Sequence, residues 1–234
     1  MRVFAISDLH LALSEDKPME IFGSGWDDYM NRIQYNWREK VNAEDLVLLP
    51  GDLSWATYLD KANLDFSYIE ELPGRKIISK GNHDYWWSTH SKLNEFKIRN
   101  GLNSITFLHN NSCFFEDLVI TGSRGWKNPE DEGFSPEDYK IYNREIERLK
   151  LSLKHTDGFQ GDIIAMLHYP PFSSKGKSTG FTDILKEFGV KICIYGHFHG
   201  KSCNYAIECE HEGIRYHLVS ADHLKFVPLL LGEW

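Results

Sequence analysis

Arg2-Val-Phe-Ala-Ile6-Ser-Asp8-Leu-His10 is a short apolar, β-branched run that stops at an acid and an imidazole. Such a run reads as a buried strand. The same arrangement returns four times along the chain. Asp45–Leu49 leads into Pro50-Gly51-Asp52, and Lys76–Ser79 into Lys80-Gly81-Asn82-His83-Asp84. Asp162–Leu167 leads into His168-Tyr-Pro-Pro171, and Lys191–Tyr195 into Gly196-His197-Phe-His199-Gly200. Each strand thus delivers polar groups at its carboxyl end, where open α/β sheets keep their binding crevices.

Between these strands lie amphipathic stretches that predict helices within Asp27–Val41, Leu59–Glu71, Ser88–Asn100, Pro136–Lys154 and Phe181–Phe188. In the fourth, Tyr139, Tyr142, Ile146, Leu149 and Leu153 recur at helical spacing, and Ser135-Pro136-Glu137 marks its start. Further strands are predicted at Ser104–Leu108 and Leu118–Gly122, with a closing meander of Cys203–Cys209, Tyr216–Ser220 and Lys225–Leu231. Strands separated by helices imply an α/β fold with a largely parallel core, and the later strands add antiparallel pairing. Two mixed sheets packed face to face with helices outside satisfy both. No repeat or linker interrupts residues 1–234, so one domain is expected, with a possible loop or cap insertion around 124–155.

The bulk numbers narrow the function. A chain of 234 residues can bury a substantial core. A formal net charge of −8 argues against nonspecific nucleic-acid binding, which needs Lys and Arg to neutralise phosphates. It leaves an anionic small molecule open, because bound cations reverse the local sign of a site. No apolar run approaches the ~20 residues of a membrane helix, and no signal-peptide pattern precedes the first strand, which predicts a cytoplasmic protein. The cysteines, Cys113, Cys193, Cys203 and Cys209, form no paired motif and read as reduced, packed thiols.

Taken singly, each polar strand end has an ordinary explanation: a capping acid, a glycine turn, a core histidine. Five in order, each at a strand end, are hard to reach by accident. Alternate residues of an extended segment also put both imidazoles of Gly-His197-Phe-His199-Gly on one side. Asp8, His10, Asp52, Asn82, His168, His197 and His199 make a mixed nitrogen and oxygen donor set with no thiolate. That set suits Mn, Fe, Zn, Co or Ni rather than Ca or a cysteine-based zinc. Seven donors exceed one cation's needs and suffice for two that share a carboxylate, a geometry suited to in-line displacement at phosphorus.

These motifs, Asp8-x-His10, Gly51-Asp52, Gly81-Asn82-His83-Asp84, His168 and Gly196-His197-x-His199, resemble the calcineurin-like metallophosphoesterase superfamily, in the manner of its small single-domain bacterial members. The resemblance implies a four-layer α/β/β/α sandwich and a hydrolase of phosphomonoesters or phosphodiesters. It implies two divalent cations, Mn first: Asp8, His10 and His199 would hold one, Asn82, His168 and His197 the other. Asp52 would bridge them, and a hydroxide shared by the metals would attack. His83 would assist the leaving oxygen, and Asp84 is the nearest candidate in sequence to orient it. Gly51-Asp-Leu-Ser-Trp-Ala56 departs from the Gly-Asp-x-x-Asp-Arg-Gly of the protein Ser/Thr phosphatases, which argues against a protein substrate. A small-molecule phosphate ester is the expected partner; a nuclease or a noncatalytic scaffold on the same fold are the alternatives, and the oligomeric state is left open. Three further features invite a role: Trp86-Trp87 as an aromatic wall, Arg124 as a phosphate clamp, and a cis peptide within Tyr169-Pro170-Pro171.

Overall fold

The computed structural model describes the backbone of residues 1–234 and every side chain except those of Phe22 and Ser24. Strands β1 (Arg2–Ala5), β2 (Leu46–Pro50), β3 (Arg75–Ser79) and β4 (Ile105–Phe107) pair in parallel, and β11 (Leu229–Glu233) closes the edge antiparallel to β1. A second sheet runs β5 (Cys113–Phe114), β6 (Leu118–Gly122), β7 (Asp162–Met166), β8 (Ile192–Tyr195), β10 (Ile214–Leu218) and β9 (Glu210–His211). Its four central strands are parallel and its two edges are antiparallel. Both sheets are therefore mixed.

Residue parity explains the layers, because successive strand side chains face opposite sides. Val3, Ala5, Leu46, Leu48 and Ile77 meet Ile120, Ile164, Met166, Ile192 and Ile194 between the sheets. Their neighbours Phe4, Val47, Leu49 and Ile78 face outward, under α1 (Tyr29–Lys40), α2 (Asn63–Glu70) and α3 (His90–Arg99). On the other side Ile163, Ala165, Cys193 and Tyr195 pack against α4 (Pro136–Lys154) and α5 (Gly180–Glu187). Each central strand thus serves two cores, which is why these strands read as nearly continuous apolar runs. The result is helix, sheet, sheet, helix.

The start of α4 follows the sequence signal: Ser135 Oγ accepts the Asp138 N–H and Asp138 Oδ2 accepts the Ser135 N–H at 2.9 Å, with Pro136 in the first turn. This helix packs on β6 as part of the outer layer, and only residues 124–135 of the expected insertion are irregular. The closing meander is corrected. Residues Gly200–Tyr205 form a 3-10 helix instead of a strand, and Leu229–Glu233 crosses to the other sheet beside β1. The Tyr169-Pro170-Pro171 bonds are trans. Among the described residues no helix is long and apolar enough to cross a membrane.

Candidate metal centre

The two sheets meet at the carboxyl ends of β1 and β10, where Ser7 N–H donates to Val219 O (2.7 Å) and Ala221 N–H to Ser7 O (2.9 Å). The loops that follow β1, β2, β3, β7 and β8 converge there. Four of the seven expected donors, Asp8 (φ 57°), His10 (φ 47°), Asp52 (φ 51°) and His197 (φ 75°), lie in the left-handed region. Asp and His tolerate that region better than most side chains, yet each such residue costs on the order of 1 kcal/mol or more. Two glycines make the approach possible. A Cβ at Gly81 would lie 2.1 Å from Asp52 Oδ1, and one at Gly196 2.2 Å from Asp8 Oδ2. The glycines of the motifs are thus the floor on which the two carboxylates rest.

All seven side chains come together, in two groups. In the first, His199 Nε2 lies 3.2 Å from both His10 Nε2 and Asp8 Oδ1. In the second, Asn82 Oδ1 lies 2.7 Å from His168 Nε2 and 2.8 Å from His197 Nδ1. Asp52 stands between them: its Oδ2 is 3.4 Å from His168 Nε2 and 4.0 Å from His10 Nε2, while its Oδ1 accepts the His83 N–H at 2.8 Å. Ligand atoms of Asp8, His10 and His199, and of Asp8, Asp52 and His168, are close enough to hold an ion.

The outer partners decide which ring nitrogen points inward. A carbonyl only accepts, so His168 Nδ1, 3.0 Å from Pro50 O, carries a proton, and Nε2 is the nitrogen turned inward, toward Asn82 Oδ1 and Asp52. His199 Nδ1 likewise donates to Asp222 Oδ1 at 3.0 Å, and Asp222 also accepts the Gly200 N–H at 2.8 Å. Such partners orient metal-binding histidines.

The charges carry the fit further. Although burial opposes ionisation, Asp8 and Asp52 are held below the usual carboxylate range, chiefly by His199 and His168 respectively. Burial also opposes protonation of His168, but Asp52 and Asp8 raise it to about 9. Asp222 and Asp8 outweigh burial at His199 and raise it to about 10. Burial lowers His10 to about 4 and His197 to about 3. The cluster therefore demands positive charge at two places, one in each group. Lone pairs of nitrogen and oxygen converging on both places fit divalent cations of the Mn, Fe or Zn kind.

Two expectations are corrected. Asp84 does not orient His83. Its fully buried carboxylate accepts the N–H groups of Asp52 (2.9 Å), Leu53 (2.9 Å) and Gly81 (2.7 Å) and the Trp86 indole (3.1 Å). It clamps the Asp52 and Asn82 loops together, whereas His83 Nδ1 is buried without a hydrogen-bond partner among the described residues. Trp86 is buried against Phe66, and Trp87 lies against Phe107 and His109, so this pair does not wall the centre. Two other tryptophans do. Trp55 stacks on His10 at 4.8 Å and Trp26 lies 5.8 Å from His199. Arg124 is engaged by Glu145 (3.3 Å) and by the Trp126 ring (4.4 Å). The sequence reading missed Asp222, although it follows the predicted strand Tyr216–Ser220 by two residues, the same signal that marks the other donors.

A crevice of mixed nitrogen and oxygen donors at the carboxyl ends of two facing sheets is the site of a metal-dependent hydrolase. The chain belongs to the calcineurin-like phosphoesterase family, whose model matches residues 1–201, and it is accordingly a metal-dependent phosphoesterase. No curated protein matches it in sequence. Among solved structures it is similar to a phosphopantetheinyl hydrolase from Mycobacterium tuberculosis, with 12% identity, a TM-score of 0.56, and 94% of this chain and 88% of that one covered. A protein of unknown function from Aquifex aeolicus matches with 16% identity and a TM-score of 0.51 over 98% and 95% of the two chains. A protein from Thermus thermophilus matches with 14% identity and a TM-score of 0.54 over 84% and 81%. At these identities the likeness is one of fold.

Proposed function

We propose that the chain hydrolyses a phosphomonoester or phosphodiester of a small molecule at a dinuclear centre. Asp8, His10 and His199 would hold one cation and Asn82, His168 and His197 the other, with Asp52 available to both. Mn is the cation proposed first, with Fe, Zn, Co or Ni also suited to these donors. The observation that carries the reading is the position of the Asp52 carboxylate between the two groups of donors. When bound, such a pair neutralises the phosphate and makes a water nucleophilic near neutral pH.

The chain's own residues supply the rest. Asp52 Oδ1 fixes the His83 backbone, so the His83 ring stands at the rim of the centre, tilted against Trp55 at 4.6 Å. Burial lowers the His83 pKa below its ordinary value. An N–H of this ring would donate to the departing ester oxygen. His83 lines a cavity of about 300 Å³ with Met19, Trp26, Trp55, His10 and His199. The walls are aromatic, which favours a flat or apolar leaving alcohol over a peptide or a nucleic-acid backbone.

Hydrolysis of p-nitrophenyl phosphate, or of its bis ester, is expected to vanish after chelation and return with Mn. Activity that survives complete metal removal contradicts the reading.

A further inference from the structure

We propose that a second cavity, beside the metal centre, binds an additional anionic group of the substrate, a phosphate or a carboxylate. The proposal rests on the reading of the centre as the phosphate-ester site. The cavity, about 370 Å³, opens at the carboxyl ends of β3, β4 and β6 and is lined by Lys80, Thr89, His109, Ser123, Arg124 and Arg148 among others. It adjoins the centre through the backbone. Lys80 precedes Asn82 by two residues, no more than about 7 Å of chain. The Arg124 carbonyl accepts the N–H groups of both His168 and Tyr169 at 3.0 Å.

Charge singles this cavity out. The chain carries a net −8, yet three of these lining residues are cationic, and Glu145 is the one carboxylate among the described lining residues. Glu145 is fully buried and engages both arginines, Arg148 Nη1 at 2.7 Å and Arg124 Nη2 at 3.3 Å. Three cations against one carboxylate leave the lining with a positive excess. Lys80 is half-buried and forms no ion pair with any described residue, while Arg124 Nε and Glu145 Oε2 are a buried donor and a buried acceptor, each without a partner among the described residues. Removing charge from water without a counter-charge is costly, so a site built this way favours an anion. Glu145 and the Trp126 ring hold the Arg124 guanidinium in place in advance, and Lys80 contributes the free charge. The substrate class is therefore a phosphate ester with a second anionic group within reach of the first.

The test uses Mn-loaded protein and two matched pairs of substrates. One is a nucleoside bisphosphate against its monophosphate, the other O-phosphoserine against O-phosphoethanolamine. The member with the extra anion is expected to have kcat/KM higher by about tenfold, mostly through KM, the size of one charged hydrogen bond. In Lys80→Met the preference should shrink to about twofold or less, and Lys80→Arg should restore it. A preference confined to the first pair assigns a phosphate, and one confined to the second a carboxylate. Equal kcat/KM within both pairs, or a preference that Lys80→Met leaves intact, overturns the proposal. Should wild type turn over no phosphate ester at all, the reading of the centre fails instead. Chelator-treated protein then decides the cavity: inorganic phosphate should raise the melting temperature of wild type but not of Lys80→Met. No shift in either, or equal shifts in both, overturns it.

Discussion

His168 and His199 each turn one ring nitrogen into the centre and give the other to an oxygen, but the two are held differently. His168 leans on the Pro50 carbonyl, and its side chain is 0% exposed. His199 leans on the Asp222 carboxylate and is 32% exposed. Around His168 lie Asn82 and His197; around His199 lie His10, Trp55 and Trp26. One half is buried with a neutral outer partner, and the other is open with a charged one. Donors of the same kind thus form two inequivalent groups, and the Asp52 carboxylate, lying between them, is proposed to couple them.

The largest effect should come from the residue common to both halves. Asp52→Asn is expected to reduce activity to background and metal content to below one ion per chain, while His83→Ala keeps both ions. Equal metal content in the two variants, by elemental analysis, contradicts the division of roles. Next is His83 itself. His83→Ala should lose about 10²–10⁴ in kcat on alkyl phosphates, whose leaving oxygens need help, and distinctly less on p-nitrophenyl phosphate. Similar losses on both substrates remove leaving-group assistance from its role.

Asp222→Asn should strike the open half alone. It is expected to weaken one Mn site by about 10–100-fold and leave the other, so that the two steps of a metal titration move further apart. Weakening of both sites together would mean that the halves are not separable. The smallest effect concerns protons. His168 and His199 stand at about 9 and about 10, both above pH 7.5, so both rings are protonated in the metal-free protein. Each must lose a proton to bind a metal, so Mn binding at that pH should release up to two protons per chain, and metal affinity should fall as pH falls. Loading without proton release, in a weakly buffered indicator assay, contradicts the charges assigned here.

The layered fold was largely legible, because β1, β2, β3, β7 and β8 write both their apolar runs and their polar endings contiguously. The convergence of the seven polar side chains was legible for the same reason. What escaped depends on contacts between distant elements. Asp222 reaches His199 only because the end of β10 lies beside that of β8. Asp84 follows His83 directly, but the turn sends its carboxylate back onto the Asp52 loop. Adjacent Trp86 and Trp87 resemble a wall, yet the Asp84 carboxylate draws the Trp86 indole into the core, while Trp26, ending a 3-10 helix, and Trp55, in a loop, reach the centre with no shared pattern. The final strand was misplaced because its apolar run suits either sheet, and only its antiparallel pairing with β1 decides.

The central claim is tested most directly by anomalous scattering from crystals of the Mn-loaded protein. Two metal peaks about 3.5–4 Å apart are expected, with the Asp52 carboxylate bound to both. A single peak, or two that Asp52 does not join, would contradict it.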